Sequence, residues 1–200
     1  RFASDSFPQL RFRKPRLWWP AELGTPELYS LDFTFAVNAQ RSDSQHVRFG
    51  IREVTNDTTA RGGRLFSVNG KRILIRGGGW APDMFFRPQP ERQLAQLRYA
   101  KDMHLNTIRL EGNYEDDRFF QVTDSLGLLV MTGWVCCDAW EEWSKWKAEQ
   151  YAIAASSLRD QIRRRRAHPS VFVWLNGSDG PPPANVEQTY LDIERQEFWP

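Results

Sequence analysis

The sequence predicts a multidomain chain: the end of a β-sandwich followed by the first half of an eight-stranded β/α barrel. Three observations carry this reading. Residues 29–37 alternate strictly, with Tyr29, Leu31, Phe33, Phe35 and Val37 on one face, which marks a half-buried antiparallel strand. From residue 72 onward, short apolar runs alternate four times with helical patterns, as βα units with right-handed crossovers around a parallel sheet do. Finally, the run Val171-Phe172-Val173-Trp174-Leu175 stops abruptly in Asn176-Gly177-Ser178-Asp179. That is a carboxylate at the carboxyl end of a buried strand, where β/α barrels carry their reacting groups. An open doubly wound sheet is the alternative architecture. Against it, Gly77-Gly78-Gly79 leads into a proline-rich loop and not into a helix, so the glycines read as room for close backbone approach and not as a phosphate cradle.

Each element follows from its pattern. Residues 1–56 hold the alternating strand and a second short strand over 47–54, and form the first domain. Residues 55–64 are polar and contain Gly62-Gly63, which predicts a linker or inter-strand loop. The second domain, 57–200, opens with a strand over 72–75. A helix over 90–104 carries Leu94, Leu97 and Met103; a strand follows at 107–111. The next helix, 116–126, turns Phe119, Val122 and Leu126 inward, before a strand at 128–132. A long helix over 148–166 aligns Tyr151, Ala155, Leu158 and Ile162, then come a strand at 170–174 and a last helix from 185. The run Arg163 to Arg166 falls at a helix end, where it complements the dipole and points into solvent.

Composition excludes several function classes. A net charge of +2 argues against an electrostatic nucleic-acid binder, and no stretch is long enough to span a membrane. Cys136 and Cys137 are adjacent and have no third thiol to pair with, so no disulfide framework forms within the chain. His46, His104 and His168 show no ligand spacing with them, and no metal or other cofactor is expected. The chain opens in mid-pattern without an initiator methionine, so it reads as a fragment, and neither a targeting segment nor an oligomeric state is legible in it.

The predicted strand ends share a chemistry. The first leads to Trp80 and Asp83, the second to Arg109 and Glu111, the third to Trp134, Asp138 and Trp140, and the fourth to Asp179. Carboxylates interleaved with tryptophans suit sugar hydrolysis, in which two acids act on the glycosidic bond and aromatic faces hold the ring. Each residue also has a purely structural reading. Asp83 caps a turn after Pro82, Arg109 pairs with a neighbouring acid, Asp138 pairs with a rim cation, Tyr151 packs in its helix stripe, and Asp179 caps the last helix.

Several stretches together resemble glycoside hydrolase family 2, in its exo-β-D-glucosaminidase branch. Pro15-Arg16-Leu17-Trp18-Trp19-Pro20, Leu28-Tyr29 and Arg48-Phe49-Gly50-Ile51-Arg52 resemble that family's immunoglobulin-like sandwich domain. Phe66-Ser67-Val68-Asn69-Gly70-Lys71 through Ile75-Arg76-Gly77-Gly78-Gly79-Trp80 resembles the entry to its TIM barrel. Asn106 through Gly112, Gly133 through Asp138 and His168-Pro169-Ser170 through Asp179 resemble the branch itself. The resemblance implies that Asp179 is the general acid/base, in the place where most of the family has glutamate. It implies that Glu111 holds the substrate ammonium, with Tyr151 assisting; their place at predicted strand ends adds Arg109, Trp134, Asp138 and Asp83 as residues expected to bind the sugar. The nucleophilic glutamate would lie on a later strand, so residues 1–200 alone would be inactive. The implied substrate is chitosan or a chitooligosaccharide, cleaved with retention from its non-reducing end by a secreted or periplasmic enzyme. A β-mannosidase-like activity and a non-catalytic carbohydrate-binding role are the alternatives.

Overall fold

The computed structural model describes residues 7–110, 115–133 and 139–197. Its first element of sheet is a long hairpin. Strands β1 (Tyr29–Val37) and β2 (Gln40–Phe49) pair antiparallel around Asn38 and Ala39. Both turn residues take positive φ, 50° and 62°, which matches the twist of a two-residue hairpin turn. The alternation of 29–37 is reproduced for Tyr29, Leu31 and Phe33, which are half-buried, whereas Phe35 and Val37 of the same face are exposed near the hairpin turn. Tyr29 stacks on its register partner Phe49 at 5.6 Å, and Phe12 meets the Tyr29 ring edge-on at 4.9 Å.

The second strand therefore begins earlier than expected and stops at Phe49. Residues 50–53 leave the ladder because they have other partners. The carbonyl of Ile51 accepts the backbone N–H of Trp18, and Arg52 donates Nε to the carbonyl of Pro169 at 2.9 Å and Nη2 to that of Val171.

A small antiparallel sheet follows, in the order β3 (Val54–Thr58), β4 (Arg64–Val68), β5 (Lys71–Ile73). The expected boundary after residue 56 falls inside β3, whose Asn56 and Asp57 pair with Phe66 and Leu65. Only residues 59–63 are loop, closed by the Thr59 and Gly63 backbones at 2.8 Å. Polar side chains hid this strand because it lies on an exposed surface.

Of the run at 72–75, expected as the first parallel strand, Arg72 and Ile73 belong instead to antiparallel β5, and Leu74 and Ile75 lie in no strand. The first parallel strand is the glycine run itself, β6 (Gly77–Trp80). Glycine has low strand propensity, so the pattern conceals it. Its neighbour demands it: a Cβ on Gly77 would overlap the carbonyl oxygen of Thr107 on the adjacent strand.

Beyond β6 the expected alternation holds. Helix α1 (Pro90–Asp102), β7 (Thr107–Leu110), α2 (Asp117–Leu126), β8 (Leu129–Gly133), α3 (Ala148–Arg165), β9 (Val171–Leu175) and α4 (Ala184–Gln196) follow in turn. The parallel sheet has the order β6-β7-β8-β9, each crossover moving one strand onward. A doubly wound sheet turns back at a switch point, and these four strands contain none.

Helices α1 and α2 pack Leu97, Phe119 and Phe120 on Ile108, Leu110, Val130 and Val171. Helices α3 and α4 join through Leu158, Ile162, Tyr190 and Ile193. Met103 of the expected apolar stripe is exposed, because α1 ends one residue before it. A third cluster, Trp18, Val68, Ile73, Leu129 and Phe172, joins the small sheet to the parallel one.

The arginine run departs most from expectation. Arg165 is buried, donates to Asp117 Oδ1 at 2.6 Å and to the carbonyl of Glu115 at 3.0 Å, and lies 4.1 Å over the Phe120 ring. Arg163 grips the buried Glu197 through two hydrogen bonds of 2.9 and 3.0 Å, with Arg159 and Arg166 at 3.5 and 3.7 Å. The run is thus a set of tertiary clasps that hold α3 to α2 and to the end of α4. Helix periodicity alone cannot show which acids fold back onto it.

These clasps make stability depend on pH. The hydrogen bond from Arg165 holds the Asp117 carboxyl below its ordinary 3.8, and that from Arg163 holds Glu197 below 4.5. Both acids bind protons more weakly folded than unfolded, so their stabilisation is complete above about 4.5 and lost as pH falls through the folded values. The melting temperature should fall below about pH 4.5, with a shallower acid slope in Asp117→Asn than in the parent. Melting curves between pH 3 and 7 check this, and equal slopes would remove Asp117 from the account.

Candidate active site

The carboxyl ends of the four parallel strands face one way, and the structure gathers a polar group there. Arg109 stands on β7, opposite Gly79 of β6 in register. Its Nη2 donates to Ser178 Oγ at 3.1 Å, across two strand positions, to the segment that follows β9. From the other side, the Ser178 backbone N–H donates to Glu141 Oε1 at 2.6 Å. Ser178 is thereby pinned by a cation through its side chain and by an anion through its main chain. A Cβ on Gly177 would collide with the carbonyl oxygen of Gly180, so the chain turns tightly there. The next residue, Asp179, is exposed on this turn.

Among the structural alternatives, Asp179 is not the cap of α4. The N-cap position belongs to Pro183, and no side chain caps that end. Asp83 does organise a turn: its Oδ1 accepts the N–H groups of Phe85 and Arg87 at 3.0 and 3.4 Å, and Arg92 stands 3.9 Å away. Tyr151 packs edge-on against Trp146 at 5.2 Å and accepts from Asn185 at 3.4 Å, at the contact of α3 with α4. Its described contacts are with that aromatic cluster and not with Ser178 or Arg109. Glu111, Trp134 and Asp138, with Cys136 and Cys137, lie outside the described residues.

Two acids escaped the sequence reading. Glu141 sits in a tryptophan-rich segment between β8 and α3, where nothing in the local pattern marks it. Glu194 lies on α4, where burial raises its carboxyl above the usual range and a hydrogen bond with Asn176, at the end of β9, opposes the shift. Its only sequence signal is a helical spacing from Tyr190, which any surface glutamate shares.

Near α1, Trp80 Nε1 donates to the buried Glu115 at 2.8 Å, and Gln93 Nε2 to the same carboxylate at 3.2 Å. Trp80 is therefore fixed in place at the end of β6. Among the described residues, no group of histidine, cysteine and acidic side chains is arranged to hold a metal ion, and no helix is long and apolar enough to cross a membrane.

This geometry can be set beside known proteins. The model of glycosyl hydrolases family 2 matches residues 2–52. The exo-β-D-glucosaminidase of Streptomyces avermitilis is 44% identical over 206 residues, covering 100% of this chain and 23% of that protein. The chain is thus similar to glycosyl hydrolases family 2 by model over residues 2–52 and to an exo-β-D-glucosaminidase along its whole length.

Among solved structures, a variant of the Amycolatopsis orientalis exo-chitosanase in complex with PNP-β-D-glucosamine superposes with a TM-score of 0.89 at 41% identity. That match covers 94% of this chain and 23% of the other. The mannosylglycoprotein endo-β-mannosidase of Lilium longiflorum is 34% identical over 214 residues, covering 97% of this chain and 22% of that protein. The chain thus spans about a quarter of the length of these relatives.

The Glu141–Ser178 contact yields a prediction. Glu141→Ala leaves the Ser178 N–H without this acceptor, at a cost of about 1–3 kcal/mol. Amide exchange of residues 176–180 should quicken in the full-length protein, whereas Glu141→Gln, which keeps an acceptor oxygen, should restore part of the protection. Unchanged exchange in the alanine variant would show that the loop is held by other contacts.

Proposed function

We propose that this chain carries the end of a sandwich domain and the entry half of the catalytic domain of a retaining exo-β-D-glucosaminidase that releases glucosamine from the non-reducing end of chitosan or its oligosaccharides. The observation that carries the reading is the Arg109–Ser178–Glu141 arrangement, which steadies Asp179 at the carboxyl end of β9. The 44% identity to an exo-β-D-glucosaminidase across the whole chain supports it. On this reading β1 and β2 end an immunoglobulin-like sandwich, the joint lies at residues 50–53, and β6 to β9 with their helices form the first half of a TIM barrel. The small sheet β3–β5 covers the amino-terminal end of that half-barrel. A polymeric substrate places the enzyme outside the cytoplasm, secreted or periplasmic.

The mechanism follows from the chemistry of the bond. Retention needs two carboxyl groups roughly 5 Å apart, one donating a proton to the leaving oxygen and the other attacking the anomeric carbon. Asp179 is assigned the proton transfer: it gives its proton to the departing sugar's oxygen, then takes one from the water that hydrolyses the glycosyl-enzyme. The attacking glutamate is assigned to a part of the barrel beyond β9. Aspartate reaches less far than glutamate, which is why the loop holding it has to be braced. Arg109 and Glu141 brace it by fixing the preceding residue from both sides. Glu111, one residue after β7, is assigned to the substrate ammonium, with Trp134, Asp138 and Tyr151 around that sugar and Asp83 toward the leaving-group side of the substrate. The similarity to an endo-β-mannosidase favours a neutral-sugar activity as the second reading.

Two substitutions in the full-length enzyme separate these roles. Asp179→Ala should lower turnover about 10²- to 10⁴-fold on chitooligosaccharides, whose leaving groups need a proton. It should slow glycosylation far less with an activated aryl leaving group, and azide should rescue the aryl reaction by attacking the covalent intermediate. Equal losses on both substrates would make Asp179 a positioning residue.

Glu111→Gln keeps the shape and removes the charge. If the ammonium pairs there, kcat/KM for a glucosaminide relative to the matching glucoside should drop about ten- to a hundredfold, the worth of roughly 1.5–3 kcal/mol. An unchanged ratio would move the assignment to the neutral-sugar reading.

A further inference from the structure

The loop after β6 presents three consecutive large apolar side chains to solvent. Met84, Phe85 and Phe86 are 84%, 75% and 68% exposed. Each would gain about 1.5–3 kcal/mol from burial, so their display at adjacent positions is a cost that packing elsewhere has to offset. Contiguous exposed apolar surface of this kind marks a contact site.

The display is built into the loop. Asp83 Oδ1 accepts from the N–H groups of Phe85 and Arg87, and the Asp83 carbonyl accepts from Phe86 N–H at 2.9 Å. Pro82, Pro88 and Pro90 bound it in sequence, and Arg92 of α1 stands against Asp83. Phe86 takes a φ of 52°, a left-handed conformation that a bulky aromatic residue adopts only when its surroundings impose it. A loop ordered to this degree, with its aromatic rings turned outward, is shaped for a ligand.

Its place in the sheet identifies the ligand class. The loop leaves the carboxyl end of β6 just after Gly79, the register partner of Arg109, and Arg109 reaches Ser178 beside Asp179. Strands β6 and β9 are three inter-strand steps apart, about 14 Å along a flat sheet. That separation is too great for the sugar undergoing cleavage and suits the units that follow it in an oligosaccharide. Flat rings and a soft thioether fit the C–H faces of pyranose rings.

We infer that Met84, Phe85 and Phe86 form a platform for the leaving-group side of a bound oligosaccharide and set a preference for polymeric over simple glucosaminides. This rests on the activity proposed above. The test uses the full-length enzyme and the double variant Phe85→Ala/Phe86→Ala. Kinetics are measured on a chitooligosaccharide and on glucosaminyl fluoride, which has no sugar on its leaving side.

The expected result is a loss of about tenfold in kcat/KM for the oligosaccharide, mostly in KM, with the fluoride rate within about twofold of the parent. The single variant Phe85→Tyr, which keeps a ring, should retain most of the oligosaccharide preference. A parent enzyme inactive on both glucosaminides would overturn the activity assignment itself. An active parent with an unchanged ratio in the double variant would overturn the platform alone. A lowered melting temperature with equal losses on both substrates would show that another part of the chain packs on these rings, and would overturn it too.

Discussion

A buried carboxylate at the seam between the amino-terminal segment and the parallel sheet underlies the rest of the structure. Asp124, on α2, accepts the backbone N–H and the hydroxyl of Ser170 at 3.1 and 2.6 Å, and pairs with His168 Nδ1 at 2.7 Å. Its own carbonyl accepts Trp18 Nε1 at 2.8 Å, and Trp18 is fully buried. One residue thus connects the chain before β1 to the start of β9. A buried acid with this many donors is satisfied only in one arrangement, so it selects the register in which β9 enters the sheet. Arg52 completes the seam from the other side through the carbonyls of Pro169 and Val171. Burial pulls its guanidinium down to about 10, against the opposing pull of Asp124, so it keeps its charge at neutral pH.

From that seam the site inherits its geometry. With the start of β9 held, its five residues carry the chain to Asn176 and the tight turn at Gly177. The loop position is then set by Arg109, on β7, and Glu141, in the crossover between β8 and α3. A second buried node, Asn106, does the same at the opposite end of β7. Its side chain donates to the Leu74 carbonyl and to Glu22, and accepts from Arg76 N–H. The position of β7, and hence of Arg109, depends on that node. The amino-terminal end of the sheet serves stability, while the carboxyl end keeps exposed polar and aromatic groups, the division of labour expected of parallel β/α architecture.

Much of this was legible in the sequence where periodicity is strong. The alternation over 29–33, the helix stripes around Phe119 and Ile162, and the apolar run ending at Asp179 each correspond to an element with matching burial, whereas Phe35 and Val37 end their strand exposed. The failures share a cause. The strand at 54–58 is polar because it is exposed, the strand at 77–80 opens on a glycine because Thr107 lies too close to Gly77 for a side chain, and the arginines at 163–166 are charged because acids distant in sequence fold onto them. In each case the residue answers to a neighbour that local pattern cannot reveal.

The candidate site divides in the same way. Asp179, Arg109 and Asp83 are legible as residues that follow or end strands, because strand ends are marked by the change from apolar to polar side chains. Glu141 and the exposed aromatic loop are not, since one lies in irregular chain and the other reads as ordinary core material. By itself the sequence determined the alternation of strands and helices beyond residue 90 and that Asp179 follows the last apolar run, because both follow from side-chain periodicity along the chain. Only the tertiary structure decided which of those groups meet, that Arg109 and Glu141 converge on Ser178, and that Met84 to Phe86 face solvent. Contacts between residues tens of positions apart depend on how strands register and helices pack, and that information is distributed over the whole fold.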